Sequence, residues 1–342
     1  MDVLLSLPIA SYLLAPSTAS WSTSLNLLFF YMTWTTLVLS HSPLKIRIGG
    51  SLAIRLALWL IPSLLTLLFD LGLPSLAESI KFAGRSALPE RDAGRLTRQV
   101  GLAVLNLTLI TAVEGGSSLA FVYIFKEPDF KTSTALPLPW QMAKHILVLF
   151  TAREVFTYYI HRNILHGKSQ LAKHHARYAH ARAGVPCSLQ LFTDHPLALV
   201  LHRFVPIYLP ALVLRPHLLT YFLFVGLCTS EETLAMSGYS IVPGIVMGGI
   251  ARRCAIHYAG KGSSNYGAWG LLDWVNGTSR GGDVLEDVKA EAEKHQVKQR
   301  SAEKMDEGVG VIQSGIDALR NGNGNGYANG TRKSQRLRSK KA

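Results

Sequence analysis

Glu154, His161, His166, His174, His175 and His180 follow one another closely, and Asp194 and His195 come soon after. Five of the protein's twelve histidines therefore fall between positions 161 and 180. Neutral imidazole is the commonest protein ligand for iron and zinc, and carboxylates also suit iron. Such a cluster could hold a metal; the competing reading is a set of interfacial histidines facing water. Glu154 and His161 are seven apart and share a helical face. His161 and His166 are five apart, which on an ideal helix is about 140° of rotation. Both reach one centre only if the helix ends or unwinds between them.

The elements that must position these side chains are apolar. The chain has 342 residues, is 48% hydrophobic and has a mean hydropathy of +0.20, which points to a membrane protein. A helix crosses the hydrocarbon core with about 20 mostly apolar residues. Segments 24–39, 51–73, 100–125 and 140–160 fit that requirement. An apolar hairpin follows over 196–214 and 218–236, broken at Arg215-Pro216, where proline interrupts helix. The expected fold is all-α: a polytopic transmembrane helical bundle of about four spans plus this hairpin, with a cytosolic histidine-rich metal-binding region. Three regions are expected: a transmembrane part over 1–138, a metal-binding domain over 139–280, and a charged helix with a basic tail over 281–342. NGNGNGYANG has a composition that cannot bury a core.

Loop charges set the expected topology. Between the second and third spans, Lys81, Arg85, Arg91, Arg95 and Arg98 outnumber Glu78, Glu90 and Asp92; the next loop is balanced. Cytosolic loops carry the Lys/Arg excess, so His161 and both termini are expected in the cytosol. Lys45 and Arg47, in the first loop, run against this scheme. The net charge of +13 is partly in the tail and suits anionic lipid, with no nucleic acid partner expected. The three cysteines form neither a disulfide framework nor a CxxC zinc pattern. Sequons at Asn106, Asn276 and Asn329 are expected to be unused, the first inside a span and the others cytosolic. Trp140, Phe156, Tyr158 and Tyr159 suit an interfacial aromatic belt. His41, His145, His202, His217 and His295 belong to no motif and are expected to be satisfied locally. A proton-relay transporter would place ionisable groups deep in the spans. Only Arg55, Glu114 and His145 fit, and they lie away from the cluster.

YYIHRNILH over 158–166, a second histidine group, Asp194-His195-Pro196, an EET…SGY segment and a late NYG…LLDWVNGTS occur in that order. This set resembles the sterol desaturase and fatty acid hydroxylase superfamily, chiefly over 151–279. The resemblance implies an endoplasmic-reticulum membrane enzyme with a non-haem di-iron centre held by histidine boxes, zinc being possible in place of iron. On that resemblance His161 and His166 match the first box, and His180 ends the second. His174 or His175 supplies an earlier ligand, His195 matches a later one, and His257 is what remains of the third box. Met236, Cys254 and Tyr258 stand where imidazole is usual, so Glu231, Glu232 or Glu154 could be recruited as ligands. Glu154 and Asp194 are expected to orient ligand rings from behind. Asn265-Tyr266-Gly267 and Asp273-Trp274 are expected to serve packing and turn geometry. The implied activity is O₂-dependent hydroxylation or desaturation of a sterol or acyl lipid. Haem, flavin and ferredoxin motifs are missing from the sequence, so electrons are expected from cytochrome b5 and its NADH-dependent reductase. The alternative is a catalytically inactive relative that binds lipid or acts as a scaffold. Arg338-Ser339-Lys340-Lys341-Ala342 resembles a dibasic retrieval signal.

Overall fold

The computed structural model describes residues 21–180, 186–242 and 245–281. Contacts divide the chain into Met1–Asp287 and Val288–Ala342, and the described residues all belong to the first unit. The charged helix expected after Asp283, NGNGNGYANG, His295, Asn329 and the basic tail lie outside the described residues.

The first helix among the described residues, α1, covers Trp21–Ser40, and α2 runs over Pro43–Gly72. Ser42 caps α2 by accepting from the Lys45 amide, and Pro43 fills a first-turn position where no amide proton is needed. A wide π turn, Leu56–Leu60, interrupts α2. After the short α3 (Pro74–Ile80) comes α4, Ala93–Phe125, whose first amides donate to the Asp92 carboxylate at 2.9 and 3.3 Å. Helix α5, Pro139–Tyr159, passes into a π turn over Ile160–Leu165. The rest comprises α6 (Gln170–Tyr178), α7 (Pro196–Leu214), α8 (Leu218–Ala235), α9 (Ile245–Ala259) and α10 (Leu271–Val275). The hairpin breaks at Arg215-Pro216, where Arg215 takes φ +45° and ends α7. Among the described residues there are isolated bridges, Lys81 with Tyr239 and Lys131 with His217, and no strands. The fold is all-helical.

Helices α2, α4 and α7 are long and apolar enough to cross a membrane. Helix α5, expected as the fourth span, is not among them: Lys144, Arg153 and Glu154 dilute its apolar length. The apolar part of α1, Leu25–Ser40, is shorter than a span. Leu65, Leu68, Val122 and Tyr123 stand exposed on α2 and α4, as side chains bathed in lipid would.

The interior ties the spans to the histidine region. Trp59 is fully buried, packs its ring at a tilt against Phe192 with centroids 4.1 Å apart and donates its indole proton to the Ser188 carbonyl at 3.0 Å. Asn106 of α4 is equally buried and donates to the carbonyls of Phe192 and Asp194 at 2.8 and 2.9 Å. The deep charges pair with one another: Arg55 with Glu114, and Arg47 with Asp129, which also accepts from Tyr208. Such pairing is what makes ionised side chains tolerable at membrane depth. Tyr158 does not join an aromatic belt: it is fully buried and accepts from Arg162 at 2.7 Å. Trp140 and Tyr159 are exposed as a belt requires.

Candidate metal centre

Where α5 ends, the chain meets the angular problem of two histidines five apart by widening. The His166 amide donates to the His161 carbonyl at 2.9 Å, an i→i+5 bond that stacks these residues over each other. Their rings lie 4.8 Å apart and their Nε2 atoms 3.2 Å apart. A third π turn, Val200–Phe204 inside α7, brings in His202, whose ring centroid is 4.2 Å from that of His161. His202 had no motif, and its neighbour in space is 41 positions away in sequence. Only the packing of α7 against α5 reveals it.

Helix α6 sorts the next pair. Ser169 caps it by accepting from the Ala172 amide at 3.0 Å. The resulting register buries His175 and leaves His174 outside, stacked on His195 at 4.6 Å. His195 instead caps α7, its Nδ1 accepting from the Leu197 amide at 3.3 Å. The structure therefore brings His161, His166, His175, His180 and His257 together, and it leaves His174 and His195 outside. His180 lies 5.0 Å from His166, 5.1 Å from His175 and 5.0 Å from His257, centroid to centroid.

Three of these rings are held from behind. Nδ1 of His161 donates to the Tyr266 carbonyl at 2.9 Å, Nδ1 of His257 to the Ser264 carbonyl at 2.6 Å, and Nδ1 of His175 to Asp194 Oδ2 at 2.6 Å. Carbonyl and carboxylate oxygens only accept, so the proton of each neutral ring is on Nδ1 and Nε2 presents its lone pair, on His161 toward the Nε2 of His166. Metal-binding histidines are oriented in this way. Nε2 of His175, Nε2 of His257 and both nitrogens of His180 are buried without a hydrogen-bond partner. Each orphaned group of that kind costs about 1–3 kcal/mol unless something else satisfies it.

A metal ion would satisfy them. Nitrogen ligands about 2.0–2.1 Å from one ion lie at most about 4.2 Å apart. One nitrogen each from His161, His166, His180 and His257 fall within 4.8 Å of one another, so small shifts close a shared centre. Burial, reinforced by neighbouring imidazoles, pushes His166 down to about 2 and His180 to about 3, and burial takes His257 to about 4. At neutral pH these rings carry no proton that a metal must displace.

The late motif holds the site from outside. Asn265, in the left-handed region at φ +57°, ties to the Arg253 and Arg280 carbonyls. Asp273 accepts from the amides of Tyr266 and Gly267 at 2.8 and 2.7 Å, which fixes the carbonyl that orients His161. Glu154 accepts from the Trp269 amide at 2.9 Å, so it acts on His161 through this loop and not by direct contact. Gly262, at φ +80°, lets the chain pass His166: a Cβ there would come within 1.9 Å of the imidazole Cε1.

Beside the imidazoles is a cavity of about 70 Å³, large enough for water or a diatomic gas. His161, His202 and His257 share its wall with Arg153, Arg203, Glu231, Glu232, Met236, Cys254 and Tyr258. The two glutamates face guanidinium groups: Arg153 donates to Glu231 at 2.9 Å and to Glu232 at 2.8 Å, and Arg203 pairs with Glu232 at 3.0 Å.

No solved structure matches the chain. The fatty acid hydroxylase family model matches residues 146–278, a segment containing all the convergent imidazoles, Asp194 and the loop behind His161. Over these residues the chain is similar to the fatty acid hydroxylase family, consistent with the sterol desaturase and fatty acid hydroxylase superfamily.

Proposed function

We propose that this protein is a membrane-bound oxidoreductase that hydroxylates or desaturates a lipid with O₂, using iron held by the imidazole cluster. One observation carries the reading: Nδ1-anchored His175 and His257 leave orphaned Nε2 lone pairs in a buried cluster where one nitrogen each of His161, His166, His180 and His257 lie within 4.8 Å of one another. Iron bound there would supply the attack on an unactivated C–H bond, chemistry that no side chain performs. The protein's part is to hold the rings neutral and fixed. Asp194 anchors His175, the Tyr266 carbonyl anchors His161, and the Ser264 carbonyl anchors His257. The cavity admits a water- or O₂-sized ligand beside the imidazoles, and the lipid would approach along the membrane face. A sterol or an acyl lipid suits that approach.

Cytochrome b5 with its NADH-dependent reductase is the proposed electron donor, and exposed Lys173 and Arg177 on α6 offer cations to an acidic partner. The endoplasmic-reticulum membrane, with both termini cytosolic, is the proposed setting, supported by the basic loop over 81–98. A second reading, a catalytically inactive member that binds lipid, draws on Met236, Cys254 and Tyr258 at the cavity wall. Lipid profiling of a deletion strain separates the two. Loss of one hydroxylated or desaturated lipid, restored by the wild-type gene but not by His161→Ala or His180→Ala, is the expected result. An unaltered lipid profile, or full rescue by both variants, would overturn the proposal.

A further inference from the structure

We infer that His202, which stands in none of the histidine boxes, is a metal ligand of this chain and supplies an imidazole where Met236, Cys254 and Tyr258 do not. The inference rests on the reading of the histidine cluster as a metal site, and it adds a donor to the rings described above.

The backbone aims this side chain. Helix α7 widens over Val200–Phe204, and His202 lies there with its ring centroid 4.2 Å from that of His161 and 6.3 Å from that of His175. An ideal helix turns about 100° per residue, so one extra residue in a turn re-aims the side chains that follow by that much. Wide turns of this kind are frequent at functional sites. The other one beside the cluster, Ile160–Leu165, carries His161 and sets His166 over it. Two departures from α-helical geometry, on separate helices, thus each bring an imidazole to the same place. The next residue fixes the turn: Arg203 pairs with Glu232 of α8 at 3.0 Å.

His202 also lacks the partner that a core histidine finds. It is 8% exposed, and the expectation that it is satisfied locally does not hold, because no hydrogen bond joins its ring to another described residue. Buried polar groups are ordinarily paired, and an imidazole has two nitrogens to satisfy. His41 and His217, equally without a motif, obey that rule: His41 shares a hydrogen bond with Ser40 at 2.8 Å, and His217 accepts from the Leu219 amide at 3.2 Å.

What His202 faces is the third ground. It shares the cavity wall with His161 and His257, and with Met236, Cys254 and Tyr258, the residues that stand where the resemblance leads one to expect imidazole. The Met236 sulfur is taken up by an Arg203 guanidinium nitrogen at 3.6 Å and the Tyr258 hydroxyl at 3.9 Å. Nitrogen missing from α8 and α9 on that wall is therefore restored from α7. The four rings with nitrogens within 4.8 Å of one another do not include His202, so its donor falls to the cavity side of the centre. Two ions about 3.5–4 Å apart, as the resemblance implies, need such a donor beyond those four.

The test loads full-length protein, purified in detergent, anaerobically with ferrous ion alone. Chelator competition reads affinity, and X-ray absorption at the iron edge reads ligation. His202→Phe keeps an aromatic ring against His161 and removes both nitrogens. The expected outcome is a tenfold or greater weakening of at least one equivalent of ferrous ion and a smaller imidazole contribution to the absorption, with the metal-free melting temperature close to wild type. Unchanged affinity and absorption in the folded variant would make His202 a packing residue, overturning the inference and leaving the proposed function standing. Should the variant not fold, iron-edge anomalous diffraction from wild-type crystals decides. Iron about 2.1 Å from a His202 nitrogen bears the inference out, and iron held only by other residues refutes it. Failure of the wild-type protein to bind any ferrous or zinc ion would overturn both readings. Iron on His202 together with an unaltered lipid profile in the deletion strain would uphold the inference and sink the proposed function alone.

Discussion

Asp194 offers the sharpest test of how the site is held together. Its Oδ2 takes the Nδ1 proton of His175 at 2.6 Å, while its Oδ1 accepts from the His195 amide at 2.6 Å. Its own carbonyl is pinned by Asn106 from α4. The carboxylate is therefore held rigidly, and it selects the His175 tautomer with a free Nε2. Asp194→Ala removes the only acceptor shown for that proton, so the ring is free to rotate or change tautomer. Partners of this kind typically account for 10–100-fold in metal affinity. At about 1.4 kcal/mol per tenfold, that is about 1.4–2.8 kcal/mol of binding free energy. Asp194→Ala should fall at the upper end. Asp194→Asn keeps an acceptor oxygen without the charge and should lose about tenfold, the lower limit. Competition with a fluorescent chelator, on detergent-solubilised protein, reads both values. His195→Ala is the control: its ring lies on His174 outside the cluster, so affinity should stay within about twofold of wild type. Wild-type affinity in a folded Asp194→Ala protein, or an equal loss in His195→Ala, would refute the reasoning.

Gly262→Ala forces a Cβ to within 1.9 Å of the His166 ring at a backbone φ of +80°, so either the loop or the imidazole must move. About 1–3 kcal/mol of stability should be lost, together with metal affinity, as read by thermal unfolding and chelator competition. An unchanged melting temperature and affinity would show that the loop passes His166 more loosely. The metal-free protein should weaken on acidification. His166, His180 and His257 are held at about 2, 3 and 4 when folded, against an ordinary 6.5, so the unfolded chain takes up protons first. Their contribution is whole above pH 6.5 and declines as pH falls toward 4; a melting temperature constant from pH 7.5 to 5 would contradict this. Glu114→Ala strands Arg55, which is only 4% exposed, and should cost about 3–5 kcal/mol. Replacing both by leucine should restore most of that loss in a detergent melt, and a folded, equally stable single variant would remove the pair from the account.

Much of the plan was legible along the chain. The apolar lengths of α2, α4 and α7, the break at Arg215-Pro216 and the all-helical class follow from local hydropathy and proline chemistry, which need no knowledge of neighbours. The clustering of histidines after residue 160 likewise signalled a site, because imidazoles are too few and too polar to gather at a helix end by apolar patterning. What tertiary structure alone decided is which rings face one another. A one-residue difference in α6 separates buried His175 from exposed His174, and register of that fineness is set by the Ser169 cap and the packing beneath it. The π turns at 160–165 and 200–204 bring His166 and His202 onto the His161 side, an outcome that ideal helical geometry cannot foretell. Glu231 and Glu232 carry charges that suit a metal as well as an arginine; only the approach of α5 and α7, bearing Arg153 and Arg203, settles the partner. Sequence specifies the kinds of donor. Long-range packing selects which of them share a centre, because that depends on distances between segments the chain separates by tens of residues.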